Sequence, residues 1–332
     1  MRIESSVTTL SWIPSEAVTG ANKGAFEIGF THYDDPPPDV IEDFDELRAT
    51  DRFRFANRLE GWVEVENGRV IDAGYGGGGV MGSTTIRLGG KGVTFAAVEL
   101  PELREDPVVT SEGATFEQTY GGRTALPAPR RVPRPPFVQF RAPLVWTTVA
   151  LTIAADGSSA FELVGASPFP RHWVYDSAGK LAAKAGLTDF KQWYRRSFGR
   201  NTPWGATNST ALVTAVETAL ERELAGTIMR GGAKPKVRTL KPSTLLTEQG
   251  QPGNDVYLVL DGVLAVEVDG QPLAEIGPGA ILGERAALEG GVRTSTLRAV
   301  TKCRVAVASS DQIDRAVLEQ ISAGHRREST NA

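Results

Sequence analysis

The stretch GERAALEGGVRTSTLRA, residues 283–299, brings together groups that could do chemistry. Gly283 and Glu284 open a short apolar turn, glycines follow at 290 and 291, and Arg293 stands beside the hydroxyl residues Thr294, Ser295 and Thr296. A short helix starting near Glu284 would leave its first backbone N–H groups free, with the positive end of the helix dipole behind them. Gly283 lets a ligand approach the backbone closely, and the turn Glu289-Gly290-Gly291 lets the chain double back and aim Arg293 at the same point. A guanidinium facing a helix N-terminus calls for a phosphate. Glu284, ionised, would repel that phosphate and is better suited to a sugar hydroxyl beside it. Phosphate plus ribose hydroxyl describes a nucleotide.

Such a pocket needs a rigid frame. From Val237 to Ser309 the text reads as short strands and glycine turns, and residues 311–328 close it as a helix. Upstream, NSTALVTAVETALERELAGTIM (208–229) is the strongest helical text in the chain. Asn208 or Ser209 can cap it, and Leu212, Val216, Leu220 and Leu224 recur on one stripe. RGGAKPK (230–236) breaks that helix, with Gly231-Gly232 as a hinge. The one cysteine, Cys303, lies in the strand-like KCRVAVA and reads as core. Being single, it excludes an internal disulfide and a cysteine-rich metal site.

Residues 1–205 read mostly as antiparallel strands. Hairpin signals occur at 62–75 around Asn67-Gly68, at 149–165 around Asp156-Gly157 and at 172–184. Further strand-like segments lie at 25–33, 83–98 and 137–147, and many short strands favour a barrel or a sandwich. DDPPPD (34–39) cannot join a central strand, because its prolines lack backbone donors. PAPRRVPRPP (127–136) reads as a polyproline-prone connector. In LTDFKQWYRR, Phe190, Trp193 and Tyr194 share a helical face. Candidates for chemistry are few. His32, Asp34 and Asp35 in THYDD could form a metal or acid–base site, against a solvated turn ahead of prolines. His172 could be a catalyst, against a packed, hydrogen-bonded histidine. GYGGGGVMGST lacks the lysine of a phosphate-cradling loop and reads as a flexible hairpin loop. The structural reading is preferred for each, so no catalytic residue and no metal is assigned.

The 283–299 stretch resembles the phosphate-binding cassette of the cyclic nucleotide-binding domain, the family of catabolite-activator-like regulators, cyclic-nucleotide-dependent kinases and gated channels. Gly283, Glu284, Ala286, Ala287, Leu288, Arg293, Thr294 and Ala299 stand in the cassette pattern. LLTEQGQPGNDVYLVLDGVLAVEV is similar to the family's opening strands, with Gly250, Tyr257 and Gly262 in place, and IGPGAILGE to its approach to the cassette. The resemblance covers roughly 235–325. It implies that Glu284 binds the ribose 2′-hydroxyl, that Arg293 binds the cyclic phosphate, and that Thr294 and the Ala286 and Ala287 N–H groups add phosphate contacts. The ligand it implies is regulatory, cAMP ahead of cGMP, with no cofactor. Arg285 departs from the family, which has an apolar residue there, and Thr294 does not settle the base. The expected fold is mainly β. An N-terminal antiparallel β barrel or sandwich with helices (1–205) is linked through 206–232 to a C-terminal β jelly roll with flanking helices (233–328).

At 332 residues the chain suits two domains, and 41% hydrophobic with 23% charged content predicts ordered cores. A net charge of −4 argues against nucleic acid as the main partner. With only about twenty residues after Ser310 to hold a helix-turn-helix, specific DNA is not expected. Kinase signatures are absent, and no run approaches ~18 apolar residues, so a soluble, cytoplasmic protein without a membrane partner is expected. Three function classes stand. The first is a sensor whose nucleotide allosterically controls an N-terminal β-domain binding a protein or small ligand. The second is a nucleotide-gated enzyme, which needs a convergent pair such as His32 with His172. The third is a structural or oligomerising protein with a dead pocket, Arg293 paired to Glu284. The sensor is preferred, and homo-oligomerisation is left open.

Overall fold

The computed structural model describes residues 1–19, 23–27, 32–82, 84–88, 91–95, 98–124, 128–131, 133–135, 137–186, 188–205, 211, 213–214, 219–230 and 235–328. Strand takes 47% and helix 19%, and the strand pairs are antiparallel, which makes the protein mainly β. The chain divides into two compact units. The first comprises 1–14, 18–185 and 190–211, and the second 15–17, 186–189 and 212–332.

The first unit is a sandwich and contains no closed barrel. One sheet runs in the order Leu181–Ala185, Arg171–Tyr175, Arg2–Trp12, Phe55–Glu66, Arg69–Met81. The other runs Ser159–Ala166, Leu144–Ala154, Gly113–Arg123, Val98–Glu99, and Gly113–Arg123 also pairs with Leu103–Arg104 and Val108–Val109. From Leu59 onward every second residue of Phe55–Glu66 is buried, the period of a strand with one face on a core. Val7, Leu59 and Val63 from one sheet meet Phe116, Val149 and Leu151 from the other. The three hairpins form as the sequence predicts. At the first, Asn67 (φ 51°) and Gly68 (φ 75°) supply the two positive φ angles of a type I′ turn. Helix Phe190–Arg196 buries Phe190 and Trp193 against Phe169, and the Trp193 indole N–H donates to the Leu144 carbonyl at 2.7 Å.

Several expectations need correction. The glycine run is not a loop but part of the strand Arg69–Met81. A Cβ at Gly79 would sit 1.9 Å from the Tyr120 ring, so the missing side chain makes room for an aromatic one. Segment 127–136 contains a strand, Ala128–Arg131, paired with Val138–Arg141 in a two-stranded ribbon whose edges tolerate proline. Of the expected strand 25–33, residues 25–27 belong to the helix Lys23–Glu27, 32–33 are irregular, and 28–31 lie outside the described residues. The helix expected over 208–229 is Ala219–Arg230. The β-branched pair Val213–Thr214 is extended instead, as its stiff side chains favour. Asn208, Ser209, Leu212, Val216, Gly231 and Gly232 lie outside the described residues.

The second unit is a jelly roll of two four-stranded sheets. One runs Lys236–Leu240, Cys303–Ser309, Asp255–Asp261, Ile281–Leu282, and the other Leu245–Thr247, Thr296–Ala299, Leu264–Val268, Gln271–Ile276. Tyr257, Val259, Leu264, Leu297, Cys303 and Val305 fill the space between them. On the outer face of the first sheet, Val256, Leu258 and Leu260 pack against Leu224 of helix Ala219–Arg230 and Leu318 and Ile321 of the terminal helix Arg315–Glu328. Strand Asp255–Asp261 is thus buried on both faces, which is why it reads VYLVL without alternation.

Candidate functional site

Strand Ile281–Leu282 ends at Gly283, which caps the five-residue helix Glu284–Leu288 with φ 89° and ψ 2°. That left-handed backbone favours glycine, and a Cβ there would meet the Asp255 carbonyl at 2.7 Å and Arg293 Nη1 at 2.8 Å. Gly283 therefore lies directly against the arginine that the sequence set beside it.

Arg293 is held from both ends. Its loop is clasped by the loop 250–253. The Gly250 N–H donates to the Arg293 carbonyl, the Arg293 N–H to the Gln251 carbonyl and the Gly253 N–H to the Gly291 carbonyl, each at 2.8 Å. Arg293 is only 6% exposed. Nη1 donates to the Asp255 carbonyl at 2.8 Å and Nη2 to the Tyr257 hydroxyl at 3.1 Å, with Cζ 5.1 Å from the Tyr257 ring centroid. Both acceptors are neutral, and among the described residues Arg293 forms no ion pair. A buried cation without a counter-charge is costly, and a bound anion would relieve that cost.

Glu284, 4% exposed, does not pair with Arg293 as a dead pocket would have it. Its Oε1 lies 3.0 Å from Nδ1 of His325 on the terminal helix. The other ring nitrogen, Nε2, lies 3.3 Å from Oε1 of Glu221 on helix Ala219–Arg230, and the same oxygen accepts the Ile281 N–H at 2.8 Å. An ionised carboxylate only accepts, so a ring that bonds two of them must donate from both nitrogens and carry a charge. Burial alone would lower the His325 pKa, but the bonds to Glu221 and Glu284 outweigh it and push it up to about 10.

Of the other predicted site residues, Ala286 is buried and Ala287 half-buried, and the Ala287 N–H donates to the Gly283 carbonyl at 3.3 Å. Thr294 is exposed beside Arg293. Tyr257 was legible as a position of the frame, but its hydroxyl contact with Arg293 was not. Glu221 and His325 were missed entirely, since no spacing rule links residues so far apart in sequence. Cys303 is core as expected, and burial pushes its thiol up to about 11.

In the first unit, the His32 imidazole lies 3.7 Å from Asp34, and each of the THYDD groups also has a partner of its own. Asp34 takes Arg54 (Nη2 to Oδ1, 2.6 Å; Nε to Oδ2, 3.0 Å) and the Ile13 N–H at 2.7 Å. Asp35 pairs with Arg52 at 3.3 Å, and the His32 imidazole lies 3.0 Å from Asp51. His172 is fully buried. Its Nε2 lies 2.8 Å from the Ser167 carbonyl, so Nε2 carries the proton and Nδ1 accepts from the Ser11 hydroxyl at 2.8 Å. Burial holds its pKa down to about 4. No bond joins His32 to His172. On the sheet's outer face a groove of about 310 Å³ is lined by Arg2, Glu4, Ser6, Glu60, Trp62 and Gly76, with Arg2 lying 4.3 Å over the Trp62 ring and bonded to Glu4 at 2.7 Å.

A buried arginine, a buried glutamate and a glycine-capped helix thus lie together in the jelly roll of the second unit. Residues 237–320 match the family model of the cyclic nucleotide-binding domain, and this segment of the chain is assigned to that family. Among solved structures, cAMP-bound PfPKA-R (141–441) is 21% identical with a TM-score of 0.26, covering 29% of this chain and 34% of that one. The N-terminal domain of a transcriptional regulator from Streptomyces coelicolor A3(2) is 22% identical with a TM-score of 0.26, covering 35% of this chain and 86% of that one. A cyclic nucleotide-binding-like protein from Brucella abortus is 25% identical with a TM-score of 0.21, covering 27% of this chain and 76% of that one. The chain thus spans about a third of the PfPKA-R structure. No curated protein matches it.

Proposed function

We propose that the second unit binds a 3′,5′-cyclic mononucleotide, cAMP ahead of cGMP, and that the protein is a sensor in which this ligand controls the β-sandwich of the first unit. The observation that carries the reading is Arg293, a buried guanidinium whose bonds all go to neutral acceptors, within a segment that matches a cyclic nucleotide-binding family. In this reading the cyclic phosphate is the missing counter-charge. Glu284 accepts the ribose 2′-hydroxyl, and Gly283, Ala286, Ala287 and Thr294 surround the phosphate. Residues 315–328 act as the lid and 219–230 as the transmitter, because both helices pack on the sheet that carries Tyr257 and Ile281. The output is binding of a protein or small molecule by the first unit, and DNA and membranes are not its partners. A calorimetric screen of cAMP, cGMP and cyclic dinucleotides against the full chain tests this. Saturable binding of a cyclic mononucleotide supports it. No heat and no thermal shift at millimolar ligand refute it.

A further inference from the structure

The bridge through His325 joins three helices at the one carboxylate that the proposed ligand needs. Glu284 uses Oε1 for His325, and no described residue bonds its Oε2. His325 reaches on to Glu221, and Glu221 holds the Ile281 N–H, one strand residue from Leu282 and two from Gly283. The two carboxylates are 3% and 6% exposed at their side chains, the imidazole 21%. Two buried carboxylates cannot share so small a space without a cation between them, and His325 is that cation.

We propose that His325 is a positioning residue of the nucleotide site, fixing Glu284 so that Oε2 is presented to the ribose 2′-hydroxyl and tying that contact to Glu221 on the preceding helix. The inference rests on the reading that Glu284 receives the ribose. Its consequence is that recognition of the 2′-hydroxyl belongs to the terminal helix as much as to the cassette. Removing the imidazole frees Glu284 to turn toward solvent and cuts its link to Glu221. A contact made to a charged group is then lost from the complex, which corresponds to about tenfold or more in affinity.

The test compares cAMP with 2′-deoxy-cAMP on the full-length protein by calorimetry. Wild type should prefer cAMP by about tenfold or more, and His325→Ala should bring the two ligands within about twofold. His325→Asn keeps an amide donor near the Nδ1 position and should restore much of the preference. His325→Gln reaches the Nε2 position, toward Glu221, and should not. A residue that merely stabilised the helix would weaken both ligands alike and leave their ratio intact. That outcome overturns the proposal while leaving cyclic nucleotide binding standing. Equal affinity of wild type for the two ligands also overturns it, because Glu284 would then not read the hydroxyl. Failure of wild type to bind either ligand refutes the underlying reading itself. A second measurement needs no ligand. By NMR the His325 ring should titrate well above an ordinary histidine in wild type and fall by more than a unit in Glu284→Gln. An ordinary titration in wild type refutes the bridge.

Discussion

Replacing Arg293 with alanine should damage ligand binding far more than it damages the fold. In the ligand-free protein the substitution removes two hydrogen bonds, to the Asp255 carbonyl and the Tyr257 hydroxyl. Leaving those acceptors without a donor costs about 1–3 kcal/mol each where they stay buried. It also removes the charge of a residue that is 6% exposed and lacks a counter-charge, and the desolvation penalty it relieves is several kcal/mol. The two effects oppose each other, so the net change in stability should be within about 2 kcal/mol. In the complex there is no such offset. A phosphate would lose its charged partner in a buried setting, worth roughly 2–5 kcal/mol, or about 30- to 4,000-fold in Kd. Thermal denaturation without ligand gives the first quantity and titration calorimetry with cAMP the second. Arg293→Lys should fall between, because an ammonium keeps the charge but not the planar fork that serves two acceptors. If Arg293→Ala binds within threefold of wild type, or if the ligand-free variant loses more than about 4 kcal/mol of stability, the arginine is a structural strut and the argument from its missing counter-charge fails.

Gly283→Ala should lower ligand-free stability by about 2 kcal/mol or more, since alanine at φ 89° pays the left-handed penalty and its Cβ crowds the Asp255 carbonyl; urea denaturation measures it. Gly79→Ala should also destabilise, by about 1–3 kcal/mol, because Tyr120 must leave its place, and near-ultraviolet circular dichroism should register the displaced ring. The two units should respond to pH in opposite senses. His172 is held neutral, with its pKa down at about 4, so the unfolded chain binds the proton first. The first unit should lose up to about 3 kcal/mol as pH falls from 6.5 toward 4. His325 is held charged, so its contribution is complete below pH 6.5 and fades as pH rises through about 10. Asp261, which burial raises to about 7, adds a slope of the same sign between 3.8 and 7. Calorimetric scans at pH 5 and pH 9 should therefore move the two transitions differently. Under the proposed coupling, cAMP should slow amide exchange in 219–230 and 315–328 as well as in 283–299, and protection confined to 283–299 would remove the sensor mechanism.

What the sequence disclosed follows from how local each signal is. The pair Asn67-Gly68 and the spacing from Gly283 to Arg293 are short-range statements about backbone and charge, and both appear in the structure where they were read. The run Gly76–Gly79 misled because glycine usually marks a turn. Here its meaning lies across the sandwich, in the ring of Tyr120. The helical text reaches further upstream than the helix because the stripe of Leu212, Val216, Leu220 and Leu224 passes over the β-branched pair Val213–Thr214, which is extended. The bridge Glu221–His325–Glu284 could not be read at all. Its members are brought together only by tertiary packing, and Glu221 and His325 each look like a polar residue on an ordinary helix.

Cys303 gives this protein a built-in clock. The thiol is fully buried between the two sheets of the second unit, its Sγ lies 3.1 Å from the Val263 carbonyl, and the chain contains no other cysteine. A disulfide reagent such as Ellman's can reach it only when the jelly roll opens, and its raised pKa keeps it unreactive until then. The modification rate therefore reads out how often the sheets part, with no label to introduce and no second site to subtract. Any compound that closes the second unit will lengthen the lag before colour appears.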